Sequence, residues 1–326
     1  MADALSGRLD RVVETILARG DATAALTDPE LAPLARLAAD LRHYPSPAFT
    51  ARLRATLKER TRMTTTLSLA APTTTRAREG FTTITPYIQT KDSRLTEFLK
   101  QAFGAVEIES TTTPRGVHRE LRVGTSMVMV SESTEEGVGE GAAPIRPAAY
   151  HVYVEDVDGT YQRALAAGAT SLGEPADRPY GERSGFVQDV MGNNWYIGRP
   201  LNGPAVPEGL RTVTPYLHPK GAPAYIDFLK QAFGAIEDAR HLGPGGRVMH
   251  AQVRIGNAVL ELGDPDPAES QPRTFYLYVD DADALYHRAV AAGATSLTPP
   301  TDQWYGDRVA SVQDSTGTLW YIARPA

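Results

Sequence analysis

Few residues in this chain are equipped to do chemistry. Glu261 stands between Leu260 and Leu262 in an apolar stretch, where a carboxylate needs a buried partner or a cavity to face. There it could hold a proton, orient an imidazole or ligate a cation. His118 and His250 occupy equivalent places on polar strand faces, either as ligand-contacting imidazoles or as side chains that are simply solvated or hydrogen-bonded. Tyr87, Tyr153, Tyr196, Tyr216, Tyr276, Tyr278 and Tyr321 fall on or near the strand faces expected to be concave. Together they offer flat contact area, stacking and phenolic hydrogen bonds, which suit a planar or aromatic ligand; the plainer reading is core packing with each hydroxyl satisfied. Arg183 and Arg308 follow matching Tyr-Gly-acid turns and fit a structural ion pair or, less simply, an anion site. Cys is absent. That removes disulfides, thiolate zinc sites, iron–sulfur clusters and thiol nucleophiles, so any metal would need His, carboxylate or phenolate ligands.

These residues sit in a chain of 326 with 42% hydrophobic, 22% charged and 8% aromatic residues, enough for two domains with real cores. No apolar run approaches the length of about 18 residues that a membrane helix needs, and no basic-then-apolar leader opens the chain; it reads as cytoplasmic, with no membrane partner. A formal charge of −6 argues against nucleic acid as a partner.

The elements that must position the candidates are written twice. Phe98 to Ala105 recurs letter for letter as Phe228 to Ala235, and Ala166 to Leu172 recurs as Ala291 to Leu297. Thr85-Pro86-Tyr87 answers Thr214-Pro215-Tyr216, and Gln188-Asp189 through Trp195-Tyr196-Ile197 answers Gln313-Asp314 through Trp320-Tyr321-Ile322. The offset falls from 130 (Phe98 to Phe228) to 125 (Ala166 to Ala291), with the main insertion in the acidic, Gly-rich stretch Glu132 to Pro147, read as a mobile loop. The organisation expected is a helical region over 1–63, a linker over 64–80, unit one over 81–200 and unit two over 208–326.

Each unit splits again into two halves of one rhythm: strand, amphipathic helix, three short strands. In unit two the pattern predicts strands at Thr212–Leu217, Ile236–His241, Val248–Ile255 and Ala258–Leu262 around a helix at Ala222–Phe233. It continues with strands at Thr274–Val279, Ser296–Leu297, Arg308–Gln313 and Leu319–Ala323 around a helix at Asp281–Ala292. Gly234 and Gly293 suit left-handed helix ends, Gly256 a tight hairpin, and Asp158 and Asp283 helix caps. Alternation puts Ala251, Val253 and Ile255 on one face and His250, Gln252 and Arg254 on the other; unit one repeats this with Leu121 and Val123 against His118, Glu120 and Arg122. The apolar face belongs under the helices, leaving the polar face, Arg122 and Arg254 included, to look into a concavity. Trp195 and Trp320 are one residue out of phase with the tyrosines and are expected in the core.

Thr-Pro-Tyr on a first strand, Phe-Leu-Lys-Gln-Ala-Phe-Gly-Ala on a helix, Arg247-Val248-Met249-His250 on a middle strand, and Tyr305-Gly306-Asp307-Arg308 before Asp314-x-x-Gly317-x-x-Trp320 form an ordered set. A paired βαβββ module carrying it resembles the vicinal-oxygen-chelate superfamily of glyoxalase I, extradiol dioxygenases and bleomycin-resistance proteins, and most of all its PhnB-like branch, over about three quarters of the chain. The fold implied is α+β: tandem pairs of βαβββ modules forming curved, mainly antiparallel sheets, here with an all-helical N-terminal segment. The resemblance also implies a metal site with one ligand from the first and one from the last strand of each of two modules. Those positions fall at Thr85, Met129, His151 and Tyr196 in unit one, and at Thr214, Glu261, Tyr276 and Tyr321 in unit two. Neither set is a His/Glu tetrad. Relatives pair modules within a unit or across units. Crossed pairing would join His151 and Tyr196 to Thr214 and Glu261, giving either a weak metal site or a general base with its orienting carboxylate.

Residues 1–63 differ in composition. Leu9, Val12, Val13, Ile16 and Leu17 make one apolar stripe; Leu31, Leu34, Leu37 and Leu41 make another after Asp28-Pro29; a third helix opens at Ser46-Pro47. The region could form a small bundle, dock on the units or bind a partner protein.

The reading that results is metal-free binding, of a sequestration or resistance type, of a small planar or aromatic molecule, with no cofactor expected. Two alternatives stand beside it. One is a lyase, isomerase or cyclase-like enzyme using His151 and Glu261, with or without a divalent metal; the other is a ligand-sensing regulator acting through the N-terminal helices. A tandem unit can satisfy module pairing internally, so a monomer is plausible.

Overall fold

The computed structural model describes residues 77–113, 116–133, 147–264 and 273–326. The helices expected over 1–63 and nearly all of the Glu132–Pro147 insertion lie outside these residues. The described chain runs β1 (Ile84–Thr90), α1 (Arg94–Phe103), β2 (Val106–Thr113), β3 (Gly116–Val123), β4 (Ser126–Ser133), then β5 (Ala149–Tyr153), α2 (Val157–Ala166), β6 (Thr170–Arg178), β7 (Glu182–Gln188), β8 (Asn194–Pro200). The second copy gives β9 (Val213–Leu217), α3 (Ala222–Phe233), β10 (Ile236–Leu242), β11 (Val248–Ile255), β12 (Ala258–Leu262), then β13 (Thr274–Tyr278), α4 (Ala282–Ala291), β14 (Thr295–Asp302), β15 (Arg308–Gln313), β16 (Leu319–Arg324). No helix among the described residues is long and apolar enough to cross a membrane.

The strands form two eight-stranded sheets, ordered β14-β15-β16-β13-β1-β4-β3-β2 and β10-β11-β12-β9-β5-β8-β7-β6. Each sheet therefore takes one module from each copy, and pairing crosses the units. The modules meet through antiparallel first strands, Thr85 opposite Tyr276 in one sheet and His151 opposite Thr214 in the other. Inside each module the first and last strands run parallel and the rest antiparallel.

The cores follow the opposite division. One gathers Leu95, Phe98 and Leu99 of α1, Val157 and Tyr161 of α2, and Trp195 and Ile197 of β8, all from the first copy apart from the joining Val213. The other gathers Ile226 and Leu229 of α3, Tyr286 of α4, and Phe275 and Trp320, joined by Ile84. Each copy thus supplies one helix-filled core, at roughly 1.5–3 kcal/mol per large apolar side chain removed from water, while each sheet is shared. Both tryptophans are core, as expected, with indole N–H groups donating 2.9 Å to the buried carboxylates of Asp189 and Asp314.

Local signals mostly hold. Helices α1 and α3 end at Gly104 and Gly234 in the left-handed region (φ 66° and 67°), where glycine is unstrained. The caps of α2 and α4 are a correction: Asp156 and Asp281 accept from the N–H of Gly159 and Ala284, not Asp158 and Asp283. The latter sit two residues further in, within the first turn, and bind the arginines of the Tyr-Gly-acid-Arg turns, Arg183 to Asp158 at 2.6 Å and Arg308 to Asp283 at 2.5 Å. Strand β14 is longer than expected and runs through Pro299 and Pro300, which an irregular edge strand tolerates because no outer neighbour needs their missing N–H. Glu132 lies in β4 rather than in the loop, bound by Arg119 and Thr96.

Candidate functional site

On strands β5, β7, β8, β9, β11 and β12, alternation turns one set of side chains away from the helices. The floor of this face is His151, 8% exposed, and Glu261, 1% exposed. Nδ1 of His151 lies 3.1 Å from Oε2 of Glu261. The other carboxylate oxygen accepts from the Tyr153 hydroxyl at 3.0 Å and the Gln252 amide at 3.3 Å, and lies 3.2 Å from Nε2 of His250. Tyr153 also stacks on the His151 ring at 4.0 Å. On the opposite edge, Nε2 of His151 faces Oε1 of Glu182 at 3.3 Å but out of line for a hydrogen bond, leaving this buried nitrogen without one. Gly198 makes the approach possible: a Cβ there would stand 2.5 Å from Glu182 Oε1 and 2.8 Å from His151 Nε2.

One imidazole therefore stands between two carboxylates. Burial alone would pull the His151 pKa down, but Glu261 and Glu182 outweigh it and push it up to about 9. Burial would raise Glu261, but His151 and His250 hold it well below the usual carboxylate range. Burial, reinforced by Glu261, drives the Tyr153 and Tyr216 phenols above theirs, so both stay protonated donors. The pair is imidazolium and carboxylate at neutral pH.

Above the floor stand half-buried rings. Tyr196 meets Tyr216 edge-on at 5.3 Å and Phe186 at 5.6 Å; its hydroxyl lies 3.0 Å from Nε2 of His218, whose ring is 4.9 Å from Tyr216. His250 closes the row 6.1 Å from Tyr216.

The structure brings His151, Glu261, Tyr153, Tyr196, Tyr216 and His250 together. It does not bring Arg254, which forms a fork of two 2.9 Å bonds with Asp238 of β10: that carboxylate, across the strand pair, claims the guanidinium. Arg122 is exposed at the far end of β3. Tyr87, His118, Tyr276, Tyr278 and Tyr321 lie on the other sheet, where Tyr87 contacts His118, Tyr276 and Tyr321 with centroids 5.9, 6.3 and 5.7 Å away. That face is filled from within by Phe81, Met127, Met129 and Val309, and by Arg78, whose guanidinium pairs with the buried Glu120. Residues 77–80, the end of the expected linker, are thus part of the packed structure.

Glu182, His218, Phe186 and Gly198 were missed. Glu182 was inside the repeated Tyr-Gly-acid-Arg turn, and His218 continues the alternation of Thr214 and Tyr216.

The four family positions on this face are poorly suited to a divalent ion. Thr214 donates its hydroxyl to the Arg211 carbonyl at 3.0 Å, Tyr196 is engaged with His218, and both Glu261 oxygens are occupied. Among the described residues no group of three or more His, Asp or Glu side chains is arranged to hold a metal. On the other face the same positions are Thr85, bonded to the Thr82 carbonyl, with Met129, Tyr276 and Tyr321. An open groove of about 530 Å³ lined by Lys230, Glu237 and Arg240 shares no residue with either face.

Comparison with known proteins agrees with this architecture. A family model described as Glyoxalase/Bleomycin resistance protein/Dioxygenase superfamily matches residues 89–197 and 219–322. An uncharacterized protein of Mycobacterium tuberculosis is 36% identical over 125 residues, 35% of this chain and 74% of that protein. The crystal structure of glyoxalase I from Zea mays is similar with a TM-score of 0.59 at 15% identity, over 74% of this chain and 92% of that one, a likeness of fold.

Proposed function

Since the chain belongs to the Glyoxalase/Bleomycin resistance protein/Dioxygenase superfamily, we propose that the His151 face is a small-molecule site that works without a metal ion. It holds a planar or aromatic ligand against Tyr196, Tyr216 and Phe186, in the manner of a sequestration or resistance protein of the PhnB-like kind. The observation that carries this reading is a floor of donor atoms engaged with one another beneath a wall of half-buried rings. Rings supply contact area at little entropic cost, and the floor supplies hydrogen bonds that fix orientation. The test is a fluorescence titration of the full chain against planar aromatic compounds, with and without chelator, followed by native mass spectrometry of the complex. Binding that disappears with chelator would overturn the proposal, as would affinity unchanged in both Tyr196→Ala and Tyr216→Ala.

A second reading rests on the unbonded Nε2 of His151. In an isomerase- or lyase-type reaction, an imidazolium held at Nδ1 by Glu261 would give its Nε2 proton to a substrate atom placed beside Glu182, which would take up a proton in turn. The reading requires that His151→Ala abolish turnover while ligand affinity survives.

A further inference from the structure

The geometry points to the Arg78 face as a second ligand site, for aryl-substituted guanidinium cations, that the chain keeps closed with its own Arg78 and Phe81. These two side chains belong to no strand of the sheet; they come from the residues just before β1. The guanidinium reaches both carboxylate oxygens of Glu120, the second at 3.1 Å, and Glu109 at 3.5 Å. Its central carbon lies over the Phe81 ring, 4.9 Å from the centroid, and that ring meets Tyr278 edge-on at 5.7 Å.

The duplication shows that the fold does not need this plug. Matching Thr85 to Thr214 puts Pro207 and Leu210 where Arg78 and Phe81 stand, and the other copy carries Gln252 in place of Glu120. Glu120 is 3% exposed, and a carboxylate so placed is costly without a paired cation. This copy therefore has a buried anion, an aromatic shelf, and a tethered cation with its own ring covering both. A forked cation on a carboxylate, with a ring against a phenol, is how such a face would take a small aryl guanidine. A tethered occupant competes at high effective concentration, so an external ligand sees an affinity reduced by the fraction of time the face is open.

The experiment is calorimetric titration of the full-length protein with benzylguanidine. Arg78→Ala with Phe81→Ala should bind it at least about ten-fold more tightly than wild type, and adding Glu120→Gln should return the affinity to the wild-type level. Equal affinity in wild type and the double variant overturns the proposal, as does tight binding that survives Glu120→Gln. Should circular dichroism show the double variant unfolded, wild type carries the test. Millimolar benzylguanidine should then accelerate amide exchange in residues 77–82, and unchanged exchange there counts against the site.

Discussion

His151 and Glu261 are 110 residues apart in sequence and 3.1 Å apart in space, on strands contributed by different copies of the duplication. Their contact exists only because the sheets exchange modules. Neither copy contains an imidazole–carboxylate couple at these positions alone.

Removing one partner strands the other. His151→Ala leaves the Glu261 carboxylate buried with its countercharge weakened, and should destabilise the protein by about 3–5 kcal/mol in urea unfolding. Glu261→Gln also leaves His151 facing Glu182 and should cost less. The double variant should lose less than the two single losses combined, because the contact is counted once in each.

The pair sets a pH window. The folded His151 pKa is raised from 6.5 to about 9, so its contribution is complete below 6.5 and is lost as pH rises through about 9. The folded Glu261 pKa is depressed from 4.5, so its contribution is present above 4.5 and is lost as pH falls toward the folded value. Unfolding free energy should therefore be greatest between about 4.5 and 6.5 where this pair dominates. In His151→Ala the decline between 6.5 and 9 should flatten.

Gly198→Ala tests the packing of the floor. The added methyl drives Glu182 away from His151 and should cost about 1–3 kcal/mol. It should also lower the His151 pKa, read from the imidazole resonances by NMR, because one of the two flanking carboxylates retreats. An unmoved imidazole titration would remove Glu182 from the site.

The helix caps give a comparison far from the floor. Asp156→Ala should cost about 1 kcal/mol through the lost cap to Gly159 at any ionic strength, whereas Asp158→Ala breaks an exposed ion pair and should cost less, with an effect that shrinks in salt. Thermal unfolding at two ionic strengths separates the two roles.

The ring wall is tested by ligand. Tyr196→Ala and Tyr216→Ala should each weaken a bound planar compound by about 1–3 kcal/mol. Tyr196→Phe, which removes only the hydroxyl near His218, should weaken it less.

Much of this architecture was legible. Letter-for-letter repeats such as Phe98–Ala105 and Phe228–Ala235 exposed the duplication, and period-two alternation sorted His250 from Ala251 correctly. Glu261 between two leucines announced a buried carboxylate. Module pairing was not legible, because β1 and β9 present the same alternation whichever partner they meet. Glu182 was hidden by its neighbour: the arginine of its turn drew the ion-pair reading, and the acid points to the opposite face of β7. Arg78 was hidden by its setting among linker-like residues, where nothing local signals that Glu120, 42 residues away, is buried and in need of a cation. The caps were missed by two residues, since Asp156 and Asp158 are chemically identical candidates and only backbone geometry separates them.

The strand order has a genetic consequence. Each face is floored by the two halves jointly, so each half carries part of both faces. The copies are thus not free to drift apart as separate modules would, because each must keep its joining strand matched to a strand of the other. Severing the chain in the connector around residues 201–212 would leave fragments that each hold one complete core and half of each sheet, bound to reunite with their complement or to pair with themselves.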